Sequence, residues 1–122
     1  MIRLFKQWNA RISDRSYRFK SFHLEAIITD CFANDGKLKG LGWEELFQSI
    51  TRKLDSYIDK QIPEPAKVGL PLEVKSTKRK TVRKSVATLS NMINRTNNEK
   101  NLQQKIVVYK QIFGKKFGKI YK

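Results

Sequence analysis

Apolar residues recur at helical spacing along most of the chain. The first apolar stripe covers residues 2–12, the second runs from Ser21 to Asn34, and the third covers residues 43–60. Spacings of three and four residues place such side chains on one face of an amphipathic helix. The same spacing defines two more helices, through Val82, Val86, Leu89 and Ile93 on the fourth and Leu102, Ile106, Tyr109 and Phe113 on the fifth.

These stripes predict an all-α fold of about five helices in a compact bundle. A chain of 122 residues is long enough for one core, so we expect residues 1–122 to form a single helical domain. The fourth and fifth helices have matching stripes and a short polar stretch between them. They should therefore form a C-terminal antiparallel helical hairpin.

Polar residues and glycine at the helix ends refine this prediction. Ser21 is placed to cap the second helix, Ser76 and Thr77 to cap the fourth, and Gly114 to end the fifth. The first helix begins near Met1 without a capping residue before it. This pattern suggests that the helix continues upstream in a longer protein, or that the chain is a fragment.

The stretch 61–74 separates two halves of very different charge. It contains all three prolines of the chain, which should keep it extended, because proline removes a backbone donor and clashes with a preceding helical turn. Residues 1–74 carry 12 Lys/Arg and 10 Asp/Glu, whereas residues 75–122 carry 14 and 1. With a formal net charge of +15, this asymmetry favours a polyanionic partner. A solvated basic face that only keeps the protein soluble is the alternative.

The densest positive charge lies in residues 75–84, which include no acidic residue. Phosphate contacts made by such a run are independent of nucleic-acid sequence and weaken steeply with salt. The run has little aromatic content, which suits contacts to the phosphate backbone better than base readout. One hypothesis is therefore an autonomous basic helical module that binds RNA or DNA through residues 75–84 and the C-terminal tail. Its candidate residues are Lys75, Lys78, Arg79, Lys80, Arg83 and Lys84.

The chain lacks the residue sets on which common catalytic mechanisms depend. One histidine and one cysteine cannot form a His/Cys metal cage, and there is no Asp-x-Asp pair for two-metal phosphoryl chemistry. We therefore expect no catalytic residue, no metal site and no cofactor within this chain. We also expect Cys31 to be a buried apolar residue and His23 to be a hydrogen-bonded structural residue. A single cysteine, with no long apolar run and no signal peptide, favours a cytoplasmic protein without a membrane partner.

Lys6 and the pair Ser21–Phe22 are candidate nucleotide-binding residues. Lys6 lies on the first helix, and Ser21 and Phe22 open the second, so they converge if the two helices pack together. A lysine and a hydroxyl group can hold phosphate, and an aromatic ring can stack on a base. Alternatively, Phe22 covers the core and Lys6 is one of 26 basic side chains with no special role.

Four short segments, in the same order, resemble segments of a known enzyme family. They are Ile2-Arg3-Leu4-Phe5-Lys6-Gln7-Trp8-Asn9, Ser21-Phe22-His23-Leu24-Glu25, Glu64-Pro65-Ala66-Lys67-Val68-Gly69-Leu70 and Ile112-Phe113-Gly114-Lys115-Lys116-Phe117. They are similar to segments of the template-independent nucleotidyltransferases related to cyclic GMP-AMP synthase and 2′-5′-oligoadenylate synthetase. The bacterial branch of that family makes cyclic oligonucleotide signals in anti-phage defence.

The resemblance covers only the C-terminal helical lobe of that family and implies a nucleotide-binding lobe without its catalytic lobe. It implies that Lys6 and Ser21 contact the triphosphate of a nucleoside triphosphate and that Phe22, where the family often has Tyr, stacks on the base. Glu64 also stands where the family has Asp. Mg²⁺ would be expected only with a catalytic lobe. Without that lobe, the first helix should expose apolar surface and promote self-association. A third hypothesis is a small interaction protein whose apolar first helix packs on a partner.

Overall fold

The computed structural model describes residues 1–62, 72–98, 101–115 and 117. Within these ranges the chain forms five α-helices, which confirms the predicted all-α fold. The helices are α1 (Ile2–Ala10), α2 (Ser21–Asn34), α3 (Trp43–Ile58), α4 (Arg79–Asn98) and α5 (Leu102–Phe113). Two short 3₁₀ helices, Arg15–Tyr17 and Gly36–Gly40, lie in the connections that follow α1 and α2.

The centre of the core is aromatic and joins α1, α3 and α5. The ring of Phe47 stacks on Phe5, with centroids 4.5 Å apart, and meets Phe113 edge to face at 4.9 Å. All three side chains are fully or almost fully buried. Because aromatic pairs combine a large buried area with a preferred geometry, these contacts fix how the three helices meet.

Contacts between α4 and α5 confirm the antiparallel hairpin. The hydroxyl groups of Thr96 and Tyr109 lie 3.5 Å apart, and Met92 lines the same surface depression as Ile112. The two helices therefore run in opposite directions. On the other side of α4, Arg83 forms ion pairs with Asp55 and Asp59 of α3.

Two predicted helix caps are wrong. Ser21 is the first helical residue, and Lys20 precedes it in an extended conformation without a side-chain cap. Ser76 and Thr77 lie in a turn before α4, which starts at Arg79. The turn is closed by a hydrogen bond from the Lys78 N–H to the Lys75 carbonyl (2.8 Å), and the Lys78 carbonyl then accepts from the Val82 N–H. A backbone turn, and not a serine or threonine side chain, therefore precedes the start of α4.

The predicted end of α5 is confirmed. Gly114 follows the helix with φ of +105°, a conformation that favours glycine. A Cβ atom at this position would also come within 3.0 Å of the Arg11 guanidinium. At the other end of α5, the side chain of Asn101 accepts from the Gln103 N–H, a cap that the sequence analysis did not predict.

Only the two ends of the proline-containing connection lie among the described residues. Ile62 and Leu72 exchange a pair of backbone hydrogen bonds, of 3.0 and 2.8 Å, so the chain returns to the point where it left α3. Residues 63–71, with all three prolines and the segment Glu64–Leu70, lie outside the described residues, as do residues 116 and 118–122 of the tail.

The apolar surface expected on the first helix is not found. Leu4, Phe5 and Trp8 are buried in the core, while Ile2, at its start, is 36% exposed. The expectation of self-association through this helix therefore loses its structural basis, because the bundle itself covers the apolar face. Among the described residues, no helix combines the length and apolar character needed to cross a membrane.

Candidate functional site

The structure brings Lys6 next to α2, as predicted, but gives it a partner. The Lys6 ammonium forms an ion pair with the Glu25 carboxylate, and both side chains are about 40% exposed. Ser21 and Phe22 lie one turn earlier on α2, where both are exposed, Phe22 by 54%. The three predicted nucleotide-binding residues therefore lie in one region, where a carboxylate already neutralises the lysine.

His23 follows directly and points into the protein. It is 3% exposed, and its Nε2 atom has no hydrogen-bond partner, so the expectation of a hydrogen-bonded histidine fails for this atom. Its ring meets Phe19 edge to face, with centroids 6.3 Å apart. Burial, and then the charge of Lys20, lower the pKa of His23, which favours the neutral imidazole.

His23 lines a small cavity between the start of α2 and the segment that leads into α4. Its apolar walls are Phe19 and Val74, and its charged lining consists of Arg18, Lys20, Glu73, Lys75 and Lys78. The cavity measures about 20 Å³, enough for one water molecule or one atom-sized group of a ligand.

Two local structures bring these residues together. The pairing of Ile62 with Leu72 directs the chain back toward the bundle, where the Val74 side chain is buried at 5% exposure. Next to it, Arg79 donates from Nε to the Val74 carbonyl (3.1 Å), which holds the turn between Lys75 and Lys78. The turn thereby faces the start of α2.

Three lysines, Lys20, Lys75 and Lys78, line this one cavity. Burial lowers the pKa of Lys78, and the nearby charges of Lys20 and Lys75 lower it further. Arg18 also lines the cavity, but its guanidinium donates to the carbonyls of Ile12 (2.5 Å) and Ala10 (3.2 Å). Glu73, the one carboxylate in the lining, is shared with Arg79 at 3.7 Å and with the Gln61 amide. The cavity is therefore surrounded by excess positive charge.

The basic run 75–84 divides into two groups. Arg83 forms ion pairs with Asp55 (2.9 Å) and Asp59 (2.6 Å), and Arg79 pairs with Glu73. The four lysines form no ion pair with any described residue. Lys75, Lys80 and Lys84 are exposed, and Lys78 is partly buried. The two arginines are therefore paired with carboxylates of the protein, and the lysines remain available to a ligand.

The rest of the described chain offers little further chemistry. Residues 1–62, 72–98, 101–115 and 117 contain no group of three or more His, Cys, Asp or Glu side chains that could hold a metal ion. Cys31 is buried as predicted, and burial raises the pKa of its thiol. The Tyr57 hydroxyl beside it donates to Asp30 Oδ2 at 2.6 Å.

The sequence analysis missed the association of Lys20 and His23 with the basic run. Lys20 and Lys78 are 58 positions apart. The pairing of Ile62 with Leu72, which brings the basic run back to the bundle, cannot be predicted from a local sequence pattern. The available signal was a lysine, Lys20, directly before the start of α2, with the single histidine three positions later.

Comparisons of the chain with protein-family profiles, with curated proteins and with solved structures find no match.

Proposed function

We propose that this helical protein binds nucleic acid through its phosphate backbone, using a lysine surface formed by Lys20, Lys75, Lys78, Lys80 and Lys84. The observation that carries the proposal is the division of the basic run, in which both arginines are paired with carboxylates and the lysines are not. The unpaired lysines leave positive charge in this run that carboxylates of the described residues do not balance.

The arrangement suits backbone contacts rather than base readout. Lys80 and Lys84 are four residues apart on α4, so they share one side of that helix. Lys75 and Lys78 extend the charge toward Lys20 at the start of α2. No aromatic residue belongs to this surface. Binding by ammonium groups alone is insensitive to base sequence and releases counterions from the nucleic acid.

Fluorescence anisotropy with labelled single-stranded oligonucleotides tests the proposal. Five phosphate contacts predict that log K falls with log salt concentration with a slope of up to about −3.5, at roughly −0.7 per contact. Two oligonucleotides of unrelated sequence should bind with similar Kd. Strong preference for one sequence, or binding that does not respond to salt, would contradict backbone recognition.

A second candidate function is the nucleotide-binding helical lobe of a cyclic-oligonucleotide or oligoadenylate synthase-like nucleotidyltransferase, inactive without its catalytic lobe. It is favoured by the exposed ring of Phe22 beside Ser21 and by the proximity of Lys6 on α1. A triphosphate would have to compete with Glu25 for the Lys6 ammonium. In that reading Phe22 stacks on the base, and Mg²⁺ enters only with a catalytic lobe.

Isothermal titration with ATP and GTP separates the two functions. The second candidate predicts that Phe22→Ala and Lys6→Ala each weaken nucleotide binding, whereas Lys80→Gln leaves it unchanged. Glu25→Gln should strengthen binding, because it frees the Lys6 ammonium. If nucleotide affinity depends on Lys80 and is indifferent to Phe22, the lysine surface alone accounts for it.

A further inference from the structure

Residues 73–78, which we name the strap, lie across the small cavity from the start of α2. The hydrogen bonds and ion pairs of the strap go to Gln61, to α4 or to other strap residues. Within the described part of the chain, none of them reaches α2 or residues 18–20. Val74 is the buried side chain of the strap, at 5% exposure. Apolar burial, and not polar bonding, therefore keeps the strap against α2.

His23 lies on the α2 side of the same cavity. Its side chain is 3% exposed, its ring meets Phe19 edge to face, and its Nε2 atom has no hydrogen-bond partner. An imidazolium has two N–H donors and a full charge, so burying it without partners costs more free energy than burying the neutral ring. The closed strap therefore favours the neutral form of His23.

The surroundings of His23 are positively charged. Four cationic side chains line its cavity: Arg18 and Lys20 from the connection before α2, and Lys75 and Lys78 from the strap. Burial, and then the charge of Lys20, lower the pKa of His23. A proton on His23 would add a further positive charge to this group.

The nearby carboxylates offer little compensation for such a charge. Glu73 of the strap is the one carboxylate in the cavity lining, and Arg79 and the Gln61 amide already share it. Glu25, farther along α2, pairs with Lys6 of α1. An imidazolium inside the closed structure would therefore have to compete for a carboxylate.

The two sides of the cavity differ in how firmly they are fixed. On the α2 side, the Asn9 amide exchanges two hydrogen bonds with the Phe19 backbone, of 2.8 and 3.0 Å. The strap has no such bond across the cavity, and its turn is closed locally, from the Lys78 N–H to the Lys75 carbonyl. The strap is thus the side that can move away while the helices stay packed.

We propose that the strap is released by acid: protonation of His23 detaches residues 73–78 from the start of α2 and leaves the helical core folded. Release admits water to the imidazolium and takes the strap lysines away from it. It also separates Lys75 and Lys78 from Lys20, so the lysine surface is continuous only while His23 is neutral. The conformational change does not depend on nucleic-acid binding; only its consequence for the lysine surface rests on that proposed function.

Proton linkage defines the pH at which release begins. The ordinary pKa of histidine is 6.5, and the pKa of His23 in the closed structure is lower. The released form therefore binds the proton more readily, and its share rises as pH falls below the ordinary value. One proton allows the ratio of released to closed strap to rise by at most about tenfold per pH unit. This rise ends near the lowered pKa.

NMR spectroscopy of the unmodified chain between pH 7.5 and 5 tests the proposal. The Cε1–H resonance of His23, the one histidine of the chain, reports its protonation. The methyl groups of Val74 report the burial of the strap, and those of Val82, which is fully buried on α4, report the core. We expect the Val74 resonances to move toward those of unfolded valine with the same midpoint as His23, while the Val82 resonances stay unchanged.

Lys20→Gln and Lys84→Gln are matched variants, because each removes one exposed lysine but only Lys20 lines the cavity. Without the Lys20 charge, the pKa of His23 in the closed structure rises toward its ordinary value, so the released share at pH 5 should fall. Lys84→Gln should behave as the unmodified chain does. His23→Gln, which takes up no proton in this range, should keep the strap closed throughout.

Val74 resonances that stay fixed while His23 titrates would overturn the inference, because the closed structure would then accommodate the imidazolium, for example by turning Glu73 toward it. Joint movement of the Val74 and Val82 resonances would also overturn it, since the whole domain would be unfolding. Release at the same pH in His23→Gln would assign it to another group. Oligonucleotide binding at pH 7.5 is measured separately, so its failure would count against the nucleic-acid function and leave the strap unaffected.

Discussion

Asn9 shows how one polar side chain can fix a loop against the core. Its Nδ2 donates to the Phe19 carbonyl (2.8 Å), and its Oδ1 accepts from the Phe19 N–H (3.0 Å). Both residues are buried, so water cannot replace these hydrogen bonds. These two hydrogen bonds fix the end of the loop that leads to Lys20 and α2. Asn9 thereby helps to position Lys20 at the candidate site.

We expect Asn9→Ala to destabilise the protein by about 2–4 kcal/mol, because two buried backbone groups at Phe19 lose their partners. Asn91→Ala is the matched control, since Asn91 is exposed on α4. It should change the free energy of unfolding by less than about 0.5 kcal/mol. Urea denaturation measures both values. Equal effects of the two substitutions would mean that the Asn9 hydrogen bonds contribute little.

The pKa of His23 predicts a specific pH dependence of stability. Because its pKa is lower in the folded than in the unfolded protein, the unfolded state binds the proton first as pH falls. Stability should therefore be full above the unfolded value of 6.5 and be lost as pH falls from there toward the folded pKa. One proton limits the slope to about 1.4 kcal/mol per pH unit. Urea denaturation between pH 8 and 5 should show this loss, and His23→Gln should abolish it. A variant that retains the same slope would assign it to another group.

At the scale of helices, aromatic packing should contribute more to stability than surface ion pairs. Phe47 contacts both Phe5 and Phe113, so it joins three helices at their common centre. Phe47→Ala should cost about 3–5 kcal/mol, through lost burial and the cavity left behind. Phe22→Ala, the same substitution at an exposed position, should cost less than about 1 kcal/mol. Thermal and urea unfolding of the two variants test this directly, and similar losses would contradict the assignment of Phe47 to the core.

The link between α3 and α4 depends on Arg83, which pairs with both Asp55 and Asp59. All three side chains are at least 40% exposed, so solvent and salt screen the interaction. We expect Arg83→Gln to reduce the free energy of unfolding only slightly at low salt, and by less at 0.5 M NaCl, as urea denaturation measures. A loss as large as that of Phe47→Ala, with no response to salt, would show that Arg83 has a buried structural role.

Helix existence was predictable from the sequence, whereas helix starts were less so. Periodic apolar positions such as Val82, Val86 and Leu89 indicate which side of a helix faces the core. This pattern is local, because it involves residues only three or four positions apart. Ser76 and Thr77 do not cap α4 because a backbone turn closes there first, and Ser21 is the first residue of α2 and not its cap. Gly114 was correctly placed because φ of +105° leaves few alternatives to glycine.

At the scale of the whole molecule, the positive charges divide into side chains that are paired with carboxylates and side chains that are not. The sequence shows that residues 75–84 are basic, but not that Arg79 and Arg83 face carboxylates contributed by Glu73, Asp55 and Asp59. Nor does it show that Lys20 joins Lys75 and Lys78 at one cavity, because that requires the chain to return across residues 63–71. Long-range contacts of this kind carry no local periodicity. Lys6 was correctly placed beside α2, while its pairing with Glu25 was not foreseen.

The central claim is that the unpaired lysines, and not the paired arginines, contact nucleic acid. Two variants that each remove one positive charge from α4 test it: Lys84→Gln and Arg83→Gln. The salt dependence of single-stranded oligonucleotide binding is measured for both and for the unmodified chain. We predict that the lysine variant loses about 0.7 from the magnitude of the slope, the value of one contact, while the arginine variant loses much less. Equal losses in the two variants, or a larger loss in the arginine variant, would contradict the account.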